Sequence, residues 1–318
     1  MKLVITGALG YIGSRLIRLP WHDAVDEIVL IDNRSTQRHD ALFDLALDRP
    51  ARFLDGDIRT LDLATIVDRG DIVVHLAALT GPEATLGDPL VVDATNVDGA
   101  LRVADACAES GAKLVFLSST SVYGGVDGEA DETTALDCCP PDNPYATSKL
   151  RAERLIAELA REATLPFVIA RCGTIYGPSA GMRFHTAVSR FCWQAAVGQP
   201  LTVWRTAMDQ RRPYLDLEDA VRAIQFLINE DRFDGRIVNV VTETATVREV
   251  LAHIRAFIDE VRVDVVDSAV MTPRSQTVSR ARIEREGFQF QGGLRDGIGR
   301  TVSVLKGLRD SRLVHERG

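Results

Sequence analysis

Lys2-Leu-Val-Ile-Thr6-Gly7-Ala-Leu-Gly10-Tyr-Ile-Gly13 is the stretch that decides the fold of this chain. An apolar run ends at Thr6, three glycines follow at a spacing of three, and a helical pattern begins after them. This order predicts a strand, a tight turn and the start of a helix. Unpaired N–H groups and the positive end of the helix dipole meet there, which favours binding of a pyrophosphate. Glycines let the backbone approach such a group closely.

A second apolar run supports a dinucleotide site over the alternative, a glycine loop that binds no ligand. Glu27-Ile-Val-Leu-Ile31 is followed directly by Asp32. This acid comes about twenty residues after the last glycine, where a carboxylate can accept hydrogen bonds from the hydroxyls of an adenosine ribose. The strand before the glycines and the acid after them are the context that such a motif requires.

The bulk properties predict a soluble globular protein of one or two domains. The chain has 318 residues, 46% of them apolar and 26% charged, with a net charge of −8. This charge argues against nucleic acid or an acidic membrane as a partner. No apolar run is long enough to span a bilayer, and the first residues do not form a signal peptide.

The cysteines predict neither a metal site nor disulfides. Five are present: Cys107, Cys138, Cys139, Cys172 and Cys192. Their spacing is not that of a zinc site, so no metal is expected. An odd number of cysteines without an export signal predicts a reducing, cytoplasmic location.

Apolar runs alternate with helical patterns through the first half of the chain. The predicted strands are 2–6, 27–32, 51–56, 72–77, 113–119 and 166–171, and the clearest helices are 96–110 and 145–162. Several of these strands are almost continuously apolar, which is typical of strands buried on both faces. The fold class is therefore predicted as α/β, with a doubly wound parallel sheet.

The pattern changes after residue 172 and predicts a smaller second domain. The predicted dinucleotide domain covers 1–172, and the chain returns to it at about 213–242. The segments 173–212 and 243–318 form the predicted substrate-binding domain. A crevice between the two parts is the expected substrate site.

The second informative stretch lies at the start of a predicted helix and reads Tyr145-Ala-Thr-Ser-Lys149. Residues four apart lie on one face of a helix, so the lysine can sit beside the phenol. Its positive charge is expected to lower the pKa of Tyr145 and to make the side chain a usable general base. The alternative is an exposed tyrosine and lysine at a helix start.

The third informative stretch lies at the end of a predicted strand and reads Ser118-Ser119-Thr120-Ser121-Val-Tyr123-Gly124. In an open α/β sheet, the carboxyl ends of the strands face the ligand crevice. A hydroxyl there can bind a substrate oxygen. The alternative is a strand end whose serines and threonines cap their own backbone.

Together these motifs resemble the extended short-chain dehydrogenase/reductases, in the NAD-dependent epimerase/dehydratase group that acts on nucleotide sugars. The resemblance covers nearly the whole chain and rests on the order and spacing of its motifs. They are Thr6-Gly-x-x-Gly-x-x-Gly13, Asp32-Asn33, Gly56-Asp57-Ile58, His75-Leu-Ala-Ala78, Asn96-Val-x-Gly99, Ser118-Ser-x-x-Val-Tyr-Gly124, Tyr145-x-x-x-Lys149, Arg171 and Tyr176-Gly-Pro178. The fold that the resemblance implies is a Rossmann domain with a smaller C-terminal substrate domain.

The resemblance also assigns catalytic and cofactor roles. Ser119 would hold the substrate oxygen, Tyr145 would be the general base or acid, and Lys149 would lower the Tyr145 pKa and bind the nicotinamide ribose. The implied NAD-binding residues are Gly7, Gly10, Tyr11, Ile12, Gly13, Asp32, Asn33, Arg34, Asp57, Ile58, Leu76, Ala77, Ala78, Asn96, Tyr145 and Lys149. Asp32 favours NAD over NADP by charge, whereas Arg34 could approach a 2′-phosphate.

The substrate residues follow the family pattern less closely. The resemblance implies Ser119, Thr174, Arg212 and Arg274 as contacts to a nucleotide-diphosphate sugar. Thr174 stands where the family often has asparagine, and Pro213 replaces the usual acid after Arg212. The stretch Gly181–Thr186 replaces a common substrate-binding segment, so the base and the sugar stay open.

The activity that the resemblance implies is redox-neutral epimerisation of a nucleotide-linked hexose, at C4, through a 4-keto intermediate. Dehydratases of the group carry Asp-Glu after the catalytic threonine, whereas this chain has Thr120-Ser121. A 4-keto-sugar reductase, a dehydratase or a decarboxylase would use the same scaffold. A non-catalytic NAD sensor is the alternative outside the enzymes, and such proteins tend to lose the tyrosine or the lysine. The family commonly forms homodimers.

Overall fold

A computed structural model describes residues 1–81, 88–124, 126, 128–137, 141, 143–267 and 275–305 of the chain. Fourteen strands occur in these residues: β1 (Lys2–Thr6), β2 (Glu27–Asp32), β3 (Ala51–Asp55), β4 (Ile72–His75), β5 (Lys113–Ser119), β6 (Glu129–Ala130), β7 (Phe167–Cys172), β8 (Thr174–Tyr176), β9 (Leu201–Trp204), β10 (Arg211–Asp216), β11 (Asp234–Val240), β12 (Glu243–Thr246), β13 (Val263–Val266) and β14 (Thr277–Val278). The six strands predicted in the first half are present, with ends that move by at most two residues.

Seven of the strands form one parallel sheet in the order β11-β7-β5-β4-β1-β2-β3. This order confirms the doubly wound α/β fold. The order reverses between β1 and β4, where Thr6 pairs with His75. Ligands of such sheets bind outside the carboxyl ends of the strands at this point, which places the glycine turn at the expected crevice.

The described helices are α1 (Gly13–Leu16), α2 (Pro89–Asp93), α3 (Gly99–Ser110), α4 (Pro144–Glu162), α5 (Ala187–Ala196), α6 (Leu217–Asn229), α7 (Val247–Arg255), α8 (Ala281–Arg285) and α9 (Leu294–Leu305). A π-helical turn, Ala94–Asp98, joins α2 to α3. None of the described helices is both long and apolar enough to cross a bilayer.

The central strands of the main sheet are buried on both faces because successive residues along them are apolar. In β1, Leu3 and Ile5 pack into one hydrophobic layer, together with α6. Val4 points to the other face and packs with α3 and α4. This two-sided burial explains the almost continuous apolar runs of the sequence.

A second hydrophobic cluster lies outside the main sheet and joins α5, α7 and α9. A three-stranded sheet, β12-β10-β8, borders it. Two short parallel pairs complete the strands, β9 with β13 and β6 with β14. Strand β11 pairs with β7 in the main sheet, whereas β10 belongs to the small sheet. The predicted return of the chain over about 213–242 and the domain boundaries near 172 and 242 stay predictions.

Candidate active site

The glycine turn between β1 and α1 is closely packed. Gly7 has a φ of +67°, and a Cβ atom on it would lie 2.6 Å from the Ala77 nitrogen. A Cβ atom on Gly13 would lie 2.5 Å from the Ala8 oxygen. Both positions therefore require glycine. Among the described residues, no protein acceptor meets the N–H groups of Tyr11 and Ile12. Two free donors on a glycine turn fit a pyrophosphate.

The Asp32 carboxylate lies at the end of β2, beside the glycine turn. One oxygen accepts from the Leu9 N–H at 3.0 Å, and the other accepts from the Arg34 N–H at 2.8 Å. A carboxylate has about four lone-pair sites, so both oxygens can still accept from ribose hydroxyls. These bonds fix the carboxylate next to the turn and fit the predicted role of Asp32.

Two charged neighbours of Asp32 are held by protein partners. Arg34 forms an ion pair with Asp55 on the adjacent strand, β3. Asp57 accepts from Asn33 at 3.1 Å and from Arg59 at 2.8 Å. The Arg59 guanidinium keeps the pKa of Asp57 well below its usual range. Because Asp55 holds the Arg34 guanidinium, this arginine is poorly placed to attract a 2′-phosphate.

The predicted middle of the cleft follows β4. Leu76, Ala77 and Ala78 are half-buried at this point, as expected for residues that line a crevice. Asn96 is buried, and its amide accepts from the Leu79 N–H at 2.7 Å and donates to the Leu79 oxygen and to Ser148. With both amide hydrogens engaged, Asn96 positions the backbone after β4. Its direct contact with a cofactor stays a prediction.

Tyr145 and Ser119 meet at the carboxyl end of β5. Helix α4 begins at Pro144, and the Asn143 side chain caps it by accepting from the Ala146 N–H at 2.9 Å. This start brings the Tyr145 phenol close to Ser119, whose hydroxyl acts to lower the pKa of Tyr145. The Ser121 hydroxyl donates to Ser119 Oγ at 2.9 Å. The structure therefore joins the second and third informative stretches of the sequence.

The pKa of Tyr145 is raised in the protein alone. Burial raises it to about 12, although Ser119 and the charge of Arg183 act in the opposite direction. The predicted lowering of this pKa by Lys149 stays a prediction. Activation of Tyr145 as a base therefore needs further positive charge near the phenol, which an oxidised nicotinamide carries.

Lys149 lies one turn further along α4 and is fully enclosed. Its ammonium group donates to the Leu117 oxygen at 2.8 Å and lies 4.8 Å from the centre of the Phe116 ring. Burial lowers the pKa of Lys149 to about 8, while Glu153 and Cys172 act to raise it. The sequence spacing correctly places Lys149 on the same helix as Tyr145. The hydrogen bond that the Lys149 ammonium group donates goes to the backbone of β5.

The lowered pKa of Lys149 predicts a pH-dependent stability. The unfolded side chain has a pKa of 10.5, so between pH 8 and 10.5 the unfolded state binds more protons than the folded state. The contribution of Lys149 to the free energy of unfolding should therefore rise with pH through this window, by about 3 kcal/mol in total. Urea unfolding at several pH values should show it as a difference between the wild type and Lys149→Met.

The comparison of the wild type with Lys149→Met is necessary because other groups titrate in the same pH range. Burial raises the pKa of Cys107, Cys172 and Cys192 to about 12, so these thiols make the folded state less stable as the pH rises. Cys107 and Cys192 are present in both proteins and cancel in the comparison. Because Lys149 acts to lower the pKa of Cys172, both proteins are compared in a Cys172→Ala background. Parallel stability curves for the two proteins would contradict the assignment of a low pKa to Lys149.

The predicted substrate residues are only partly described. Thr174 and Arg212 lie on β8 and β10, neighbouring strands of the small sheet, in which Thr174 pairs with Tyr214. Arg212 donates to Gln210 at 2.7 Å and is half-buried. Arg274 lies outside the described residues. The structure thus brings two of these residues onto one small sheet, and their role in binding a diphosphate stays a prediction.

Two arginines near the glycine turn were not singled out from the sequence. Arg38 donates to the Gly181 oxygen at 2.8 Å, and Arg183 bonds to the Thr80 hydroxyl. Both line a cavity of about 340 Å³. Arg38 and Arg183 are far apart in the chain and belong to none of the motifs quoted above. The one sequence signal for this region is that Gly181–Thr186 replaces the usual segment of the family.

A buried ion pair supports the helix that carries Tyr145. Arg171 on β7 donates to both oxygens of Glu153, the shortest contact being 2.6 Å, and the side chains are 5% and 3% exposed. Arg171 also donates to the Tyr123 hydroxyl at 2.8 Å, and Tyr123 donates to Asn239 at 2.8 Å. This network connects α4, the Tyr123 segment, β7 and β11.

Comparison with known proteins agrees with this geometry. A curated relative from Bacillus subtilis, described as the uncharacterized UDP-glucose epimerase YtcB, is 30% identical over 264 residues, which cover 80% of this chain and 81% of the relative. The structure of UDP-glucuronic acid 4-epimerase from Bacillus cereus with NAD matches with a TM-score of 0.83 at 23% identity, over 96% of each chain. This second match shows the fold.

A dehydratase has a similar structure. DesIV, a dTDP-glucose 4,6-dehydratase from Streptomyces venezuelae with NAD bound, matches with a TM-score of 0.80 at 27% identity, over 95% of this chain and 96% of its own. The model of the NAD dependent epimerase/dehydratase family matches residues 3–240, three quarters of the sequence. The chain therefore belongs to the NAD dependent epimerase/dehydratase family.

Proposed function

We propose that the chain is an NAD-dependent enzyme that epimerises a nucleotide-linked hexose at C4 without net oxidation. The observation that carries this proposal is the convergence of Tyr145 and Ser119 at the carboxyl end of β5, next to the point where the strand order reverses. A phenol and a hydroxyl that converge there can hold one sugar oxygen between them. The UDP-glucose epimerase relative supports the same class of substrate.

Each polar group then has a role in moving one proton. Tyr145 removes the proton of the C4 hydroxyl and later returns it, while Ser119 donates a hydrogen bond to the same oxygen. Lys149 lies one turn from Tyr145 and would bind the nicotinamide ribose, and Asp32 would bind the adenosine ribose. NAD, when bound, supplies the acceptor and donor of the hydride, so no external reductant is consumed.

The residues after Ser119 favour epimerisation over loss of water. Thr120 is buried, and the Ser121 hydroxyl is bonded to Ser119. Neither side chain can replace the carboxylic acid and carboxylate that dehydratases of the group carry at these two positions. Elimination of water from the hexose needs an acid for the leaving hydroxyl. The proposed reaction expels no leaving group, so besides the hydride exchange with NAD it needs only the proton exchange at Tyr145.

Product analysis tests the proposal. The purified protein is denatured to identify any dinucleotide released, and fresh protein is incubated with UDP- and dTDP-hexoses without added cofactor. We expect released NAD and a product with the mass of the substrate but inverted C4. Loss of water or of carbon dioxide, or conversion only with added NADH or NADPH, would contradict epimerisation and identify a dehydratase, a decarboxylase or a reductase.

The choice of cofactor can be tested through Asp32. Asp32→Ala removes the acceptors for the ribose hydroxyls and the charge that repels a 2′-phosphate. We expect the dissociation constant for NAD to rise about 10- to 100-fold and that for NADP to rise much less, measured by calorimetry. Asp55→Ala, which frees Arg34, is the matched comparison. An equal loss of both dinucleotides in Asp32→Ala would contradict NAD preference.

We further propose a cytoplasmic homodimer in which α3 and α4 pack against the same helices of a second copy. Leu90 and Val91 support this arrangement, because they lie in the short helix just before α3 and are 78% and 56% exposed. Exposed neighbouring aliphatic side chains are typical of protein interfaces. Sedimentation equilibrium should show a dimer at micromolar concentration, and Leu90→Asp should weaken it. A wild-type monomer would remove this proposal.

A further inference from the structure

Residues 178–185, here called the crossing loop, lie across the glycine turn. A Cβ atom on Gly181 would be 2.3 Å from the Gly10 oxygen, so only glycine allows this approach. The Gly181 N–H donates to Ser14 Oγ at 2.9 Å, and the Ser179 hydroxyl donates to the Tyr11 oxygen at 3.1 Å. The crossing loop is therefore held against the turn by backbone packing and by two hydrogen bonds.

Arg38 approaches the crossing loop from the segment after β2. Its guanidinium donates to the Gly181 oxygen, and no ion pair joins it to a carboxylate within the described residues. Burial and the nearby charge of Arg183 lower the pKa of Arg38, whereas Asp32 and Asp40 act to raise it. One donor of five is used in this contact, so the guanidinium keeps donors for another acceptor.

Arg183 belongs to the crossing loop and faces the same cavity of about 340 Å³. The Thr80 hydroxyl accepts one of its hydrogen bonds. Its charge also acts to lower the pKa of Tyr145. Two guanidinium groups that share one cavity repel each other, and an anion between them removes this repulsion.

We propose that Arg38 and Arg183 bind the pyrophosphate of the dinucleotide, opposite the N–H groups of Tyr11 and Ile12. The inference rests on the proposed function, because it takes NAD as the ligand. The glycine turn would contact the pyrophosphate through neutral donors, and the arginines would contact it through charge. A cofactor held from both sides leaves slowly, which suits a reaction that regenerates NAD in every turnover.

The test measures binding rather than turnover. Protein freed of nucleotide is titrated by calorimetry with NAD, with ADP-ribose and with UDP, for the wild type, Arg38→Gln and Arg183→Gln. ADP-ribose keeps the pyrophosphate and lacks the nicotinamide. We expect each variant to bind NAD and ADP-ribose about 10- to 100-fold more weakly, with UDP binding unchanged. The loss should shrink at high salt, because the contact is between charges.

Three controls make the result specific. Arg52→Gln removes an arginine that pairs with Glu27 at the amino end of β2. This variant should bind NAD and ADP-ribose like the wild type. Arg38→Lys keeps a charge and should lose less affinity than Arg38→Gln. Circular dichroism and the melting temperature establish that each variant is folded.

The outcomes separate this inference from the proposed function. Unchanged NAD and ADP-ribose binding in both glutamine variants would overturn the inference while the proposed function stands. Weaker UDP binding alone would also overturn it and would assign the arginines to the substrate. A wild-type protein that binds neither NAD nor ADP-ribose would instead overturn the proposed function itself.

Discussion

Tyr145→Phe should lower kcat for epimerisation by about 10²- to 10⁴-fold, the contribution typical of a positioned acid or base. The change deletes only the hydroxyl near Ser119 and leaves the ring in place. Dinucleotide affinity and the melting temperature should therefore change little. A steady-state assay of product formation, combined with calorimetric titration of NAD, measures both quantities on the same preparation.

Ser119→Ala separates the role of the phenol from that of its partner. It removes a hydrogen bond to the sugar oxygen and a group that acts to lower the pKa of Tyr145. We expect a loss of kcat and a shift of the acidic limb of the pH–rate profile, where Tyr145 loses its proton, to higher pH. Tyr145→Phe should abolish that limb. Wild-type turnover in Tyr145→Phe would contradict catalysis by Tyr145 and would favour a sensor.

Glu153→Met should lower the free energy of unfolding by about 3–5 kcal/mol, because it leaves Arg171 charged and buried without its partner. Three hydrogen bonds between the two side chains are lost at once. Methionine keeps a similar volume, so the effect reports the charge and not a cavity. Urea denaturation followed by tryptophan fluorescence measures it.

Two further variants test the cause of that loss. Glu153→Met with Arg171→Met removes both charges and should regain most of the stability, because a well-packed apolar pair replaces a buried ion pair with little cost. Glu158→Met changes an exposed position of α4 and should stay within about 0.5 kcal/mol of the wild type. A small effect of Glu153→Met alone would show that Arg171 finds another partner or water.

Much of the fold could be predicted because its signals are local. Each strand of the first half is an apolar run of about the right length, and the glycine turn and Asp32 occur at strand ends. The same applies to Ser119 and Tyr145, which were expected in one crevice and lie close to each other. Parallel strands bring their carboxyl ends to one edge of the sheet, so a correct strand assignment places these residues together.

The properties that the sequence could not predict depend on packing between distant segments. The pKa of Tyr145 rises because the folded chain removes water from around the phenol, and helical spacing carries no information about that. Arg38 and Arg183 meet only because the crossing loop lies on the glycine turn. The engagement of Asn96 with Leu79 likewise follows from how the backbone after β4 turns.

Because β11 comes late in the chain, the main sheet can be completed only late during synthesis. Strand β7 is buried along its whole length, and one of its edges is covered only by Asp234–Val240. A ribosome that has made the chain through β7 must therefore add about sixty more residues before that edge is paired. During this interval the nascent protein exposes an apolar strand edge, the kind of surface on which partly made chains aggregate and chaperones act.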